Sequence, residues 1–254
     1  MDLFSLKGRV AVVTGASSGL GKRFAEVLAG QGADIVIMAR RIERLRELAE
    51  NIRKTGVRCL PIQCDVTDEK RVVEAVAEAV KYFGKIDILI NNAGSAYGTA
   101  AEDTPGEDFR KTIDVDLNGV FYMAREVGKN MIANKYGRII NIASMYGLVG
   151  NKFAPALSYH ASKGAVVNFA RGLAAEWGKH NITVNNIGPG FFMSELTEQL
   201  LQMDEFNRFV ATMTCLNRPG EEHELDTSLL FLASDHSSYV TGQTIYVDGG
   251  WTAI

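Results

Sequence analysis

Tyr159 and Lys163 stand four residues apart in the run LSYHASKGAVV (157–167). On a helix that spacing puts a phenol and an ammonium on one face, a turn apart. A free phenol titrates near pH ~10, too high for proton exchange at neutral pH, and a neighbouring cation favours the phenolate by about 1.4 kcal/mol per pH unit. The pair is therefore a tyrosine equipped to give and take a proton. Ser144 closes the apolar run GRIINIAS (137–144). A hydroxyl at the end of a strand can hold an oxygen on which charge develops. Tyr-x-x-x-Lys alone is a common surface pair of helices, so its weight depends on what else the chain brings to it.

The other chemical signal is VVTGASSGLG (12–21), with Gly15, Gly19 and Gly21 where a first strand turns into a first helix. Such a turn lets backbone approach a ligand, and the helix start offers unpaired N–H groups to a pyrophosphate. Ser17 and Ser18 can add hydroxyl donors. The elements needed to position both signals follow from the pattern. Strand-length apolar runs (9–15, 34–39, 57–64, 85–94, 137–144, 182–190 and 244–250) alternate with helical patterns at about 19–30, 41–56, 68–84, 107–134, 157–179 and 221–233. The strands are apolar without strict alternation, as expected when both faces of a parallel sheet are covered. The expectation is one α/β domain over 1–254: a doubly wound parallel sheet of about seven strands with helices on both faces. The rhythm breaks only at about 190–220, after the carboxyl end of a strand, a place suited to a substrate lid.

Composition narrows the function. Hydrophobic residues make up 46% and charged residues 22%, enough for a real core, and the net charge of −3 comes with no basic stripe. Nucleic acid and an anionic membrane are therefore not expected as partners. Cys59, Cys64 and Cys215 are scattered and odd in number, which reads as free thiols in a reducing compartment. The four histidines lack ligand spacing, so no metal site is expected. No signal pattern or membrane-length run is present, and a cytoplasmic protein is the default reading.

The turn is G-x-x-x-G-x-G, and with NNAG (91–94), the set Ser144, Tyr159 and Lys163, and PG (189–190), it falls in the order of the short-chain dehydrogenase/reductase family, which the chain resembles from its first strand to YVDGG (246–250). The resemblance implies a single Rossmann-type domain and hydride transfer between a nicotinamide and a carbonyl or secondary alcohol. It makes Tyr159 the acid/base, Lys163 its electrostatic partner and ribose ligand, and Ser144 the positioner of the substrate oxygen. It assigns cofactor contacts to Gly15, Ser17, Ser18, Gly19 and Leu20 in the turn, to Asp65 and Val66, and to Asn92, Ala93 and Gly94. Pro189, Gly190, Phe192 and Ser194 match the segment that orients the nicotinamide, with Ser194 in place of the usual Thr. One position departs: the family Asn of N-L-x-x-V-F is Asp116 in DLNGVF (116–121), with Asn118 read as structural. Asp65 could equally cap the following helix, although Thr67 and Asp68 are better placed to do so.

The second strand ends at Ala39, where an NAD site would carry a carboxylate for the ribose 2′-hydroxyl. Asp34 opens that strand, at the wrong end. Arg40 is suited to a 2′-phosphate. Arg41 reads either as a second phosphate ligand or, slightly favoured, as a solvated helix start paired with Glu43 or Glu47. NADP(H) is the expected cofactor, with NAD(H) also open because Ser17 and Ser18 stand where a basic residue would be. The pocket wall is expected from Ser95, Ala96, Tyr97, Met145, Tyr146, Phe153, Phe191, Met193, Leu196 and Leu200, more apolar than a bare sugar acid needs. Locally, DVDLNG and the long Ser144–Tyr159 loop are most similar to gluconate 5-dehydrogenase-type members, with 3-oxoacyl-carrier reductases and hydroxysteroid dehydrogenases as competitors. A non-catalytic NADP-binding regulator and a methyltransferase are the alternatives from other classes. Small residues such as Ala161, Ala165 and Ala170 on the two long helices, which family members pair across a two-fold, point to a homotetramer.

Overall fold

The computed structural model describes residues 2–95, 98–195 and 197–254. Seven strands form one sheet: β1 Val10–Thr14, β2 Asp34–Ala39, β3 Cys59–Gln63, β4 Ile88–Asn91, β5 Gly137–Ile142, β6 Ile182–Pro189 and β7 Thr244–Val247. All pair in parallel in the order β3-β2-β1-β4-β5-β6-β7. Every residue of β1, β4, β5 and β6 is buried, which is why these runs lack a polar alternation. The crossovers are α1 Gly19–Gly30, α2 Ile42–Arg53, α3 Glu69–Phe83, α4 Gly106–Ile113, α5 Gly119–Asn134 and α6 Leu157–Trp177. Two short helices, α7 Glu198–Leu201 and α8 Asp204–Met213, lie between β6 and the last crossover helix, α9 Asp226–Ala233. Two apolar clusters, one on each face of the sheet, make up the core. Among the described residues no helix is long and apolar enough to cross a membrane.

The strand order reverses between β1 and β4, so the crevice at their carboxyl ends is the natural ligand site of such a sheet. Thr14 ties the two ends together: its Oγ1 accepts from the backbone N–H groups of Asn92 (3.0 Å) and Ala93 (3.1 Å). A file of buried amides crosses the neighbouring strands. Asn91 Nδ2 donates to Asn141 Oδ1 (2.9 Å), Asn141 Nδ2 to Asn186 Oδ1 (3.0 Å) and Asn186 Nδ2 to Thr244 Oγ1 (2.9 Å). Their register makes this possible, since Asn91, Asn141, Asn186 and Thr244 are successive cross-strand partners. Asn141→Ala strands a donor and an acceptor in the core, each costing about 1–3 kcal/mol. Urea unfolding is expected to show a loss of about 2–4 kcal/mol. A loss under ~1 kcal/mol would mean the file is not a cooperative part of the core.

The long helix expected over 107–134 is not uniform. Between α4 and α5 lies a π-helical turn, Asp114–Asn118. Within this turn Asp116 is fully buried, while Asn118 stays outside and donates to Asp114 Oδ1 (2.8 Å).

Candidate active site

The glycine turn is built for close approach. Gly15 has φ +66°, and a Cβ there would sit 2.9 Å from Ala93 Cα. A Cβ on Gly21 would run into Asn92 and the Gly15 carbonyl. Glycine is thus required both for the turn and for seating α1 on the β4 end. Ser18 precedes α1 without capping it through its side chain, so the first N–H groups of a twelve-residue helix are left for a ligand.

From this turn a cavity of about 920 Å³ runs along the carboxyl edge of the sheet. Gly15, Ser17, Ser18, Gly19 and Leu20 line it, as do Arg40, Arg41, Asp65 and Val66. Asn92, Ala93 and Gly94 follow, then Pro189, Gly190, Phe192 and Ser194. Ser144, Tyr159 and Lys163 line the same cavity. Asp116 does not; it lies directly behind Lys163.

Burial explains the arrangement around Lys163. α6 presents Ser158, Ser162, Lys163, Val166, Val167, Ala170 and Ala174 inward, a four-residue spacing that carries the ammonium into the protein. Lys163 Nζ donates to the Ile142 carbonyl (3.0 Å), faces Asp116 Oδ2 at 3.5 Å and lies 5.4 Å from the centre of the Tyr159 ring. Burial alone would drive this ammonium toward neutrality; the charge of Asp116 and the nearby Tyr159 outweigh it, and its pKa is raised. Asp116 accepts from the Ser95 N–H (2.7 Å) and from Ser162 Oγ (3.3 Å). Burial raises its pKa, opposed first by Lys163. Ser144 follows the end of β5 by two residues and is buried, its Oγ accepting from the Tyr146 N–H (3.1 Å). The ion pair of Asp116 and Lys163 has no counterpart in a site built with Asn at that position. Its signal was in the sequence as an acidic residue in DLNGVF, but only the π turn reveals where it points.

One expectation about charge is corrected. Arg41 is not paired with Glu43 or Glu47. It donates from Nε to Ser17 Oγ (3.1 Å), from Nη2 to Ser18 Oγ (2.8 Å) and from Nη2 to Glu195 Oε2 (2.8 Å). Glu43 is taken by Arg46 instead (2.7 Å), because one helical turn brings them together while Arg41 reaches back across the turn. Glu195 also accepts from Arg44 (2.7 Å) and Ser18 (2.8 Å). The Arg41 hydrogen bond is the main reason its carboxyl is held down at about 2. An anionic group is thus already held beside the glycine turn by two guanidinium groups and a hydroxyl, as a phosphate would be. Asp68, one of the two residues better placed to cap α3, does so, accepting from the Arg71 N–H (3.1 Å), while Asp65 closes a turn with Thr67.

The far end of the cavity is lined by Ser95, Met145, Tyr146, Phe153, Phe191 and Leu200, as expected, and by Phe206 from α8. Met193 was expected there but is exposed and does not line it; the chain at 192 is pinned by a bridge to Gly220, which turns the next residue outward. Ala96, Tyr97 and Leu196 lie outside the described residues. Phe206, which sequence reasoning missed, is almost fully buried. Its only sequence signal was the aromatic spacing in FNRF (206–209). Ala170, read as a small residue for helix pairing, is instead fully buried in the core.

Comparison with known proteins gives the relationships of the whole chain. Residues 15–252 match the family described as Enoyl-(Acyl carrier protein) reductase. The gluconate 5-dehydrogenase of Gluconobacter oxydans is 38% identical over 252 residues, 99% of this chain and 97% of the relative. The structure of a short-chain type dehydrogenase/reductase from Mycobacterium marinum superposes with a TM-score of 0.95 at 37% identity, covering 100% of this chain and 99% of the other. A gluconate 5-dehydrogenase from Burkholderia cenocepacia, crystallised with NADP and tartrate, superposes with a TM-score of 0.96 at 36% identity, covering 100% and 98%.

Proposed function

We propose, from the premise that this chain belongs to the short-chain dehydrogenase/reductase family, that this oxidoreductase interconverts a ketone and a secondary alcohol with NADP(H), using Tyr159 as acid/base. The observation that carries the reading is the meeting of Ser144, Tyr159 and Lys163 with the glycine turn in one cavity. The residues present fit the dinucleotide. The turn admits backbone contact that a Cβ would block at Gly15, and Arg41 with Ser17 forms a ready cradle for a phosphate. Arg40 lines the cavity beside it. Asp65 and Val66 are assigned to the adenine, Asn92 to Gly94 to the adenosine side, and Pro189 to Ser194 to the nicotinamide.

When bound, the nicotinamide supplies or accepts the hydride. The chain's own residues handle the oxygen and the proton. Ser144 Oγ holds the substrate oxygen, and Tyr159 Oη gives it a proton in reduction or takes one in oxidation. Lys163 supplies the cation beside that exchange, itself held in place by Ile142 and Asp116. Residues 190–220, closed into a loop by the Phe192–Gly220 bridge, are assigned as the substrate lid. The protein is read as a cytoplasmic homotetramer, with the exposed Ala161, Gly172 and Ala175 of α6 and Phe121 of α5 available to a second copy. Sedimentation would report a monomer if this is wrong.

The direct test is NADPH oxidation with a panel of ketoses, keto sugar acids, 3-oxoacyl thioesters and oxosteroids. No turnover with any of them defeats the reading. The cofactor choice has its own test. Arg41→Ala is expected to weaken NADPH binding about 10- to 100-fold, the worth of one charge-assisted contact, and to change NADH binding less than about threefold. Equal losses for both cofactors, measured by fluorescence titration, would show that Arg41 serves the turn and not the 2′-phosphate.

A further inference from the structure

The substrate end of the cavity differs in character from the cofactor end. Phe153, Phe191 and Phe206 line it and lock one another: Phe153 and Phe206 are 5.0 Å apart at 65°, and Phe191 and Phe206 are 4.9 Å apart at 86°. Phe209 and Trp251 brace them from behind, with centroids 4.7 Å from Phe153 and 5.5 Å from Phe191 respectively. Tyr146 completes the wall edge-on to Phe191, at 6.0 Å, and Tyr159 packs in the same cluster. Rings interlocked edge to face are a fixed surface, suited to the face or edge of another flat apolar group.

The charges tell the same story. The described basic residues lining the cavity are Arg40, Arg41, Lys111 and Lys163. The two arginines flank the glycine turn, and Lys163 is pinned beneath Ile142 and against Asp116. Lys111 is tied to Glu107 (2.8 Å) and Asp108 (3.5 Å) on its own helix. Lys152, next to the lining residue Phe153, is exposed and does not line the cavity. By sequence the three internal positions outside the described residues, Ala96, Tyr97 and Leu196, add no cation. The polar atoms left buried and unpaired near the lining are the Tyr146 hydroxyl, Ser95 Oγ and Nε2 of His160, whose ring stacks on that of Tyr146 at 4.6 Å and does not line the cavity. Asn151, the other polar side chain of this wall, is satisfied within its loop by the Phe153 N–H and the Ala154 carbonyl. A carboxylate placed among the rings would lose its hydration with no cation in return.

Resting on the ketone–alcohol reading above, we infer that the cavity takes an uncharged substrate with a flat apolar ring beside the reacting carbon and discriminates against keto acids. The assignment is decided by binding, separately from turnover. A ketone and NADP+ form a dead-end complex, so ketones can be titrated calorimetrically into the NADP+-saturated protein without reaction. The probes are 1-tetralone, an uncharged ring ketone, and 5-keto-D-gluconate. The dissociation constant for 1-tetralone is expected to be at least about 30-fold lower, the worth of one favourable side-chain burial. Leu200→Arg, which adds a cation to the apolar wall, is expected to tighten 5-keto-D-gluconate binding at least about 10-fold. Equal or tighter binding of the keto acid to the unmodified protein overturns the inference. So does a Leu200→Arg variant that binds the keto acid no better, because the missing cation would then not be the cause. Failure of NADPH to reduce either compound counts against the oxidoreductase reading alone, since the calorimetry still decides the substrate class.

Discussion

Replacing Tyr159 with Phe is expected to lower kcat for ketone reduction by about 10³-fold or more, within the range for loss of a positioned general acid, while the dissociation constant for NADPH stays within about threefold. The ring lies in the cluster with Met145, Tyr146 and Trp251, and Phe preserves that packing. Only the hydroxyl is lost, and with it, on the proposed reading, the proton that reaches the substrate oxygen as the hydride arrives. The measurement pairs steady-state NADPH oxidation with fluorescence titration of NADPH. A kcat reduced less than about 10-fold would remove Tyr159 from the chemistry, since water would be doing its work. A parallel collapse of NADPH binding would make the residue structural. The same variant separates an enzyme from a nucleotide-sensing regulator, for which the hydroxyl should not matter.

What the chain disclosed before folding, and what it withheld, follows from the range of each interaction. The parallel sheet was legible because burial on both faces removes polar alternation, visible within any single strand such as DIVIMA or ITVNNIGP. Tyr159 and Lys163 were legible because helical periodicity alone puts them together. Arg41 was misread because its partner, Glu195, is 154 residues away, and the local candidates at i+2 and i+6 obscured it. The amide file through Asn91, Asn141 and Asn186 depends on strand register, which each strand's own sequence does not specify. Asp116 was identified as a departure, yet its direction depended on a π turn that no periodicity signals. The aromatic wall needed α8 folded back over the sheet edge, a tertiary event joining Phe206 to Phe153 and Phe191.

The buried pair gives the second large effect. Lys163→Met is expected to cost activity about 10³-fold, as a Tyr159 loss would, because the proposed proton exchange at Tyr159 loses the cation beside it. Unlike Tyr159→Phe, it should also destabilise the fold by about 3–5 kcal/mol at neutral pH, since Asp116 is left as a lone buried carboxylate. The pH dependence of that deficit has a definite sign. Burial already raises the pKa of Asp116, and Lys163 is the main force opposing it. Removing the cation raises it further, so the folded variant holds a proton that the unfolded chain releases. Stability of the variant then falls as pH rises through the folded pKa, and the deficit shrinks in acid. Adding Asp116→Asn removes the stranded charge: the double variant should recover most of the stability at neutral pH and none of the activity. Asp116→Asn alone keeps an acceptor for the Ser95 N–H and frees the Lys163 charge from its counter-ion. It should stay within about 10-fold of full activity and move the rising limb of the alcohol-oxidation profile to lower pH, because a negative charge beside Lys163 is gone. An unmoved profile would mean that the carboxylate only holds the loop at Ser95. A stability deficit in Lys163→Met that Asp116→Asn fails to relieve would mean that the two groups do not act as an ion pair at all.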